Sequence, residues 1–362
     1  MPGALVIDTA KPARPLAIGG VSLASPVVQA ALSGYSDRAM RVLARRHGAA
    51  YSLGEVLLDQ FVATVGTNRR NLARLAVADE EHPVGGQLMG SNPDDFPPAA
   101  RRLVAEGYDV IDINFGCPVK KVLGRCRGGY LLSQPTTALD IVAKVREAVP
   151  PQVPVTLKMR RGLDDSPESL DNFWTIFDGA FARGAAAITV HGRTVKQKYV
   201  GPSSWEFLAA VKRHAGERIV IGSGDLFSAA ACVAMLETTG VDAVSVARGA
   251  IGNPWIFRQT LALLAGEPPL PPPTIHEQRD VLREHWALSM ELHGEQVAGR
   301  SMRKFAIKYA RVHPEPLAVR DAFIGVKVNA DWQAVLARFY AVDGPGRDPS
   351  ADVDEVSSCE EA

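Results

Sequence analysis

The sequence predicts an α/β fold, a (β/α)8 TIM barrel followed by a small C-terminal α-helical bundle. Three observations carry this. Eight short, β-branched and nearly continuous apolar runs recur between Ser25 and Gly249, each bounded by turn residues. Amphipathic stretches separate them. After Gly266 the strand pattern stops and helical spacing takes over. Strands that are apolar throughout, alternating with helices, describe a parallel sheet covered by helices. Eight such units suit a closed barrel. A doubly wound open sheet is the structural alternative; no GxGxxG follows the first run to support it.

The elements follow in order. Residues 1–25 form an N-terminal segment whose "PLAIGGVSL" reads as a hairpin closing the bottom of the barrel. The barrel spans residues 26–265. Its strands lie in "SPVVQAAL", "AAYSLGE", "HPVGGQLMG", "YDVIDINFG", "VPVTLKMR", "AAAITVHG", "RIVIGSGD" and "DAVSVARG". Helices such as "DRAMRVLARRHG", "PDDFPPAARRLVAEG" and "PTTALDIVAKVREAV" connect them. "GEPPLPPPT" is a Pro-rich linker to a helical domain over residues 274–345. Residues 346–362 read as a disordered acidic tail, with Asp352, Asp354, Glu355, Glu360 and Glu361. The whole chain holds 40 basic and 40 acidic side chains, so the part ahead of this tail is net positive.

Composition narrows the class. With 46% hydrophobic and 22% charged residues, this is an ordinary globular balance. No apolar run reaches the ~18–20 residues that span a bilayer. The start "MPGALVIDTAKPARP" lacks the pattern of a signal peptide. The four cysteines form neither a disulfide framework nor a metal-type CxxC pair. The expectation is a cytoplasmic monomer with no membrane and no metal partner.

In such a barrel the chemistry belongs at the C-terminal ends of the strands. Those ends are polar here: Gln87; Asn114 and Cys117; Lys158 and Arg160; His191 and Arg193; Ser223, Gly224 and Asp225; Arg248 and Gly249. One buried polar residue alone is commonly structural; a full rim of them points to a site. "IGSGDLFS" and "ARGAIGNPWIF" follow the seventh and eighth strands, where this fold often binds phosphate. Lys158 has two readings. It forms a Schiff base, as in barrel aldolases, or it pairs with the negative charge of a reduced flavin. Gln87, Asn114, Lys158 and a phosphate site together fit flavin mononucleotide (FMN) better than a Schiff base.

"DINFGCPVKKVLGRCRGGYLL" resembles the signature of the tRNA-dihydrouridine synthases. "QAALSGYSD", "VGGQLMG", "LKMRRG", "TVHGRTVKQKYVGPSSW", "IGSGDLF" and "VARGAIGNPWIF" continue the resemblance in order, over roughly Pro26 to Phe257. The resemblance implies a flavin barrel with a C-terminal helical domain, FMN as cofactor, and NADPH (or NADH) as reductant of specific uridines in tRNA. It implies Cys117 as catalytic acid, Gln87 and Lys158 at the flavin ring, Asn114 beside it, and His191 near flavin or base. Ser223, Gly224, Asp225, Ala247 and Arg248 are implied to cradle the ribityl phosphate, and backbone around Ala31, Leu32 and Ser33 to face the flavin. Where this chain has Ala31, Leu32 and Ser223, the family usually has proline, methionine and asparagine.

Reduction of the uracil C5–C6 bond takes a hydride and a proton, and the base must be extruded from the RNA to receive them. An unperturbed thiol, with a pKa of about 8.5, is mostly protonated at neutral pH and can donate. Lys120, Lys121, Arg125 and Arg127 follow on the next loop and read as phosphate contacts, with Arg160 at the neighbouring strand end. Arg300, Arg303, Lys304 and Lys308 lie on the helix of "GRSMRKFAIKYAR"; Arg300, Lys304, Lys308 and Arg311 share one face, read as binding RNA backbone. Phe305 and Tyr309 are expected to pack the bundle. The alternative is another FMN barrel oxidoreductase acting on a free pyrimidine, similar to dihydroorotate dehydrogenase. A small substrate has no need of the basic bundle.

Overall fold

The computed structural model describes residues 16–66 and 75–349. Leu16–Ile18 (β1) and Val21–Leu23 (β2) form an antiparallel hairpin. Its Ile18 and Leu23 are buried with Val28, Tyr51, Val110, Ala187, Ile221 and Ala243, toward the N-terminal ends of the barrel strands. The hairpin therefore caps the bottom of the barrel with apolar side chains.

The predicted closed barrel follows. Its strands are Val27–Gln29 (β3), Tyr51–Leu53 (β4), Val84–Met89 (β6), Val110–Phe115 (β7), Val155–Arg160 (β8), Ala185–His191 (β9), Ile219–Ser223 (β10) and Ala243–Val246 (β11). Each pairs in parallel with the next, and β11 pairs back onto β3, so the sheet closes. Leu57–Leu58 (β5) adds a two-residue strand against the C-terminal end of β6.

The covering helices are Arg38–Arg46 (α1), Asp59–Thr64 (α2), Phe96–Ala105 (α3), Lys120–Leu123 (α4), Pro135–Ala148 (α5), Pro167–Ala182 (α6), Trp205–Ala215 (α7), Ala229–Thr239 (α8) and Trp255–Leu264 (α9). Several start on a capping side chain. Asp37, Ser166, Ser204 and Ser228 each accept from a backbone N–H in the first turn of α1, α6, α7 and α8. Such a cap is worth about 1 kcal/mol.

The C-terminal helices are Ile275–His293 (α10), Glu295–Tyr309 (α11), Pro316–Ile324 (α12) and Asn329–Phe339 (α13). Thr274 and Glu277 make a reciprocal capping box at the start of α10. Trp286 stacks on Trp332 at 4.6 Å, and Phe323 packs against Trp332 at 5.0 Å. Phe305 and Tyr309 are buried where the bundle meets the barrel: both pack on His285, Phe305 also on Tyr35 at 5.4 Å and Tyr309 on Trp255 at 6.1 Å. The bundle touches the barrel at its first and last βα units. Arg38 pairs with Glu291, Arg46 with Glu284, and His293 lies 3.5 Å from Asp37. The Lys304 ammonium donates to the Gly34 carbonyl. On the other side of the closure, Arg258 pairs with Glu277 and Arg311 donates to the Ile251 carbonyl at 2.7 Å. Gly252 approaches so closely that a Cβ there would lie 2.5 Å from the Lys308 and Tyr309 backbone.

Within the stretch expected to begin the tail, the Arg347 N–H donates to the Val312 carbonyl at 2.9 Å. Gly346 sits against Pro273 and Gln278. Residues 350–362, with the acidic cluster, lie outside the described residues, as do residues 1–15 of the N-terminal segment. No helix among the described residues is long and apolar enough to cross a membrane.

Candidate active site

The C-terminal ends of the barrel strands surround a cavity of about 510 Å³. Strand register builds its floor in rows. Gln87, Asp112 and Thr156 are register partners across β6, β7 and β8. Two residues further along, Asn114 pairs with Lys158. Arg160, His191 and Ser223 pair across β8, β9 and β10. The two-residue period of a strand brings each row to the same face.

On the β6–β7 side the polar groups satisfy one another. Thr156 Oγ1 donates to Asp112 Oδ1 at 2.5 Å, and Gln87 Nε2 donates to Asp112 Oδ2 at 2.7 Å. Asn114 Nδ2 donates to Gln87 Oε1 at 2.8 Å. Asn114 Oδ1 in turn accepts from the Gly116 and Cys117 N–H groups, both at 3.0 Å. Asp112 and Thr156 carry no role in the sequence reading. The available signal was the period of two, which puts Asp112 on the face of Asn114. Burial raises the Asp112 pKa, opposed by its bonds from Thr156 and Gln87 and by the charge of Lys158.

The β8–β9 side is cationic. Burial, then the Arg160 guanidinium, lowers the Lys158 pKa to about 8; Asp112 and Cys117 oppose the shift. Burial likewise lowers Arg160 to about 10. His191 is held well below the usual imidazole value by burial and by Arg160, Lys158, Arg193 and Arg248. It is therefore neutral at pH 7. Its Nδ1 accepts from the Arg193 N–H at 3.1 Å, so the proton sits on Nε2. Cys117 stands where the two sides meet. Burial pushes its thiol pKa up, against a backbone bond from Val119 and the charges of Arg160 and Lys158. The thiol is thus protonated at neutral pH.

The strand-seven and strand-eight loops meet beside these groups. A Cβ on Gly249 would lie 2.0 Å from the Leu226 carbonyl, so only glycine permits this approach. Arg248 is sandwiched by Tyr199 at 4.5 Å and Phe227 at 5.1 Å. The Asp225 carboxylate is occupied by Arg193 and the Ser203 N–H, both at 2.8 Å, which leaves its backbone for any phosphate. Ser223, Gly224 and Ala247 line the same cavity. So do Ala31, Leu32 and Ser33, but the Leu32 N–H is already taken by Ser36 Oγ at 2.8 Å.

All of the residues expected at the flavin, with Cys117, Arg160 and Lys304, line this one cavity. Three of the expected RNA contacts, Arg160, Lys304 and Arg311, are differently engaged. Arg160 is buried and donates to the carbonyls of Gly116, Thr194 and Lys198, at 3.0, 2.8 and 2.7 Å. It clasps the cysteine loop to the strand-six loop, a task that sequence does not reveal because its partners are main-chain oxygens. Lys304 lies over Tyr35 and Phe305 while bonded to Gly34, and Arg311 is held by Ile251; their helix face meets the barrel as well as solvent. Lys120, Lys121, Arg125 and Arg300 are exposed, and Arg127, Arg303 and Lys308 are half-buried, all outside the cavity lining.

The family model described as dihydrouridine synthase (Dus) matches residues 28–337. The chain belongs to the dihydrouridine synthase family. A probable tRNA-dihydrouridine synthase of Mycobacterium tuberculosis (strain H37Rv) is 36% identical over 337 residues, covering 91% of this chain and 85% of that protein. The tRNA-dihydrouridine synthase B of Xanthomonas axonopodis pv. citri (strain 306) is 35% identical over 325 residues, covering 89% and 95%. Among solved structures, histamine dehydrogenase from Rhizobium sp. 4-9 aligns with a TM-score of 0.54 at 14% identity, over 81% of this chain and 50% of that one. A morphinone reductase variant in complex with tetrahydroNAD aligns at 0.53 and 15%, over 70% and 90%. These two show a shared barrel fold. In this dihydrouridine synthase family member, no group of three or more His, Cys, Asp or Glu side chains among the described residues could hold a metal ion.

Proposed function

We propose that this protein is a tRNA-dihydrouridine synthase that holds FMN in the barrel cavity and uses NADPH to reduce the C5–C6 bond of uridines in tRNA. The observation that carries the reading is the meeting, in one cavity, of a protonated Cys117 thiol and a Lys158 ammonium that makes no hydrogen bond among the described residues. The cavity suits FMN. Four cations line it, Lys158, Arg160, Arg248 and Lys304, against one carboxylate, Asp225, which bonds Arg193 and lies 3.9 Å from Arg248. Lys158 would pair with the charge the flavin ring carries when reduced, Gln87 and Asn114 would hold its polar edge, and Arg248 with the two loops its phosphate. When bound, the flavin supplies the hydride to C6 of the base and regains its electrons from NADPH.

Cys117 does the complementary work. Hydride at C6 leaves negative charge on C5 and the C4 carbonyl, and a neutral thiol beside C5 quenches it by giving up its proton. Burial keeps that proton on the sulfur until then. His191, neutral and carrying its proton on Nε2, donates a hydrogen bond to the base or cofactor. Lys120, Lys121, Arg125, Arg300 and Arg303 contact tRNA phosphates around the mouth. We assign the reaction to the cytoplasm, where a tRNA substrate is met.

Incubating the purified protein with unmodified tRNA and NADPH, then digesting to nucleosides, tests this. Dihydrouridine should accumulate, and acid should release FMN. Absence of dihydrouridine together with reduction of a free pyrimidine would overturn the tRNA assignment.

A further inference from the structure

Asp112 is 1% exposed, and the proposed reaction gives it no task. Its place in the amide chain supplies one. Both Asp112 oxygens accept, Oδ1 from Thr156 and Oδ2 from Gln87, as an ionised carboxylate does, and a backbone N–H only donates. Gln87 must therefore turn Nε2 toward Asp112, which leaves Oε1 for Asn114. Asn114 must then present Nδ2 to Gln87, which leaves Oδ1 for the Gly116 and Cys117 N–H groups. With an acceptor-only group at one end and donor-only groups at the other, both amides have a single orientation. Each keeps one further N–H, and both side chains line the cavity.

We propose that Asp112 is a positioning residue. Acting through Gln87 and Asn114, it sets the direction of a hydrogen-bond relay that fixes the backbone of the Cys117 loop. The same relay reserves N–H donors, not amide oxygens, for the ligand edge that settles on Gln87 and Asn114. That edge must carry acceptors, carbonyl oxygens or unprotonated ring nitrogens. The inference rests on the proposed function only in taking Cys117 as the proton donor; the relay itself needs neither cofactor nor tRNA.

The polarity makes a substitution rule. The relay accommodates one carboxylate among positions 87, 112 and 114, but not two. Gln87→Glu sets two acceptors face to face at the Asp112 contact. Asn114→Asp does so at the Gln87 contact, because Asp112 keeps Gln87 from turning over. Asp112→Asn rescues both. The new amide donates toward position 87 and still accepts from Thr156, and every downstream bond can form. Asp112→Asn alone is mild, because the Thr156 hydroxyl can accept instead of donate and the amide can turn its oxygen to Gln87.

Hydrogen exchange at the Gly116 and Cys117 amides, followed in the cofactor-stripped full chain, reads this without any activity. Gln87→Glu and Asn114→Asp should each speed exchange about fivefold or more, while Asp112→Asn alone and both double variants should stay within about twofold of the parent. Unchanged exchange in the single variants, or double variants worse than the singles, overturns the relay. If a single variant fails to fold, a folded and protected double supports the relay, and an unfolded double sinks it. A relay confirmed while tRNA reduction is absent would refute the proposed function alone.

Discussion

The two sides of the cavity are built on opposite plans. On the β6–β7 side, neutral amides and one carboxylate bond each other into a closed chain ending on the cysteine loop. On the β8–β9 side, Lys158, Arg160, Arg193 and Arg248 crowd together, and burial with mutual repulsion lowers the pKa of Lys158 and Arg160. The bonds of the first side form without a ligand and so set geometry, with one N–H of each amide left over. The second holds charge that an anion would relieve and so sets affinity. Cys117 is governed by both: its backbone by the amides, its thiol by burial and the cations.

The variant expected to do most damage removes that junction. Cys117→Ala should lower the rate of dihydrouridine formation about 100-fold or more while leaving bound flavin unchanged. Nucleoside analysis beside the flavin spectrum checks this, and full activity would remove Cys117 from the chemistry. Next comes the charge itself. Lys158→Met keeps most of the side-chain bulk and deletes the ammonium, so FMN affinity should fall about tenfold or more by equilibrium titration. Amide exchange at Gly116 and Cys117 should not respond; if it does, the two sides are not separable as described.

A gentler way to unload the same side is pH. The ligand-free Lys158 pKa is about 8, and a bound anion raises it. Between about pH 7, above the second phosphate pKa of about 6, and pH 8 the ammonium is present before and after binding, so affinity for reduced FMN should be constant there. Above it, binding must take up a proton, so affinity should fall as pH rises toward the bound-state pKa. A flat titration up to pH 9.5 would break the argument. The smallest effect is expected outside the cavity: Arg303→Glu should weaken tRNA binding a few-fold, less so as salt is raised, with FMN affinity unaltered.

Much of this architecture is legible in the sequence, for stated reasons. All eight barrel strands show as apolar runs between turn residues, because a parallel strand is buried on both faces. Leu57–Leu58 does not, since two residues carry no period. The strand ends announce a site because polar residues interrupt apolar runs where the fold places chemistry. Asp112 escapes that reading because its meaning depends on register. Thr156 is 44 residues away, and nothing local pairs them. Arg160 is read only in part, for the complementary reason. As a cation near a predicted site it reads as an RNA contact, yet three carbonyl oxygens from two loops converge on it.

The bundle's attachments have a consequence for how the molecule is assembled. β3 and β11 are paired in space but separated by nearly the whole barrel in sequence, and closing that circuit carries the largest loop entropy in the sheet. The bundle grips Gly34, Asp37 and Arg38 on one side of the joint and Ile251 and Arg258 on the other. Both halves of that grip exist together only once the ring has shut. The C-terminal helices thus act as a latch that engages last and opposes reopening. A chain ended after Gly266 should show its fastest strand exchange at β3 and β11, with the strands on the far side of the ring little changed.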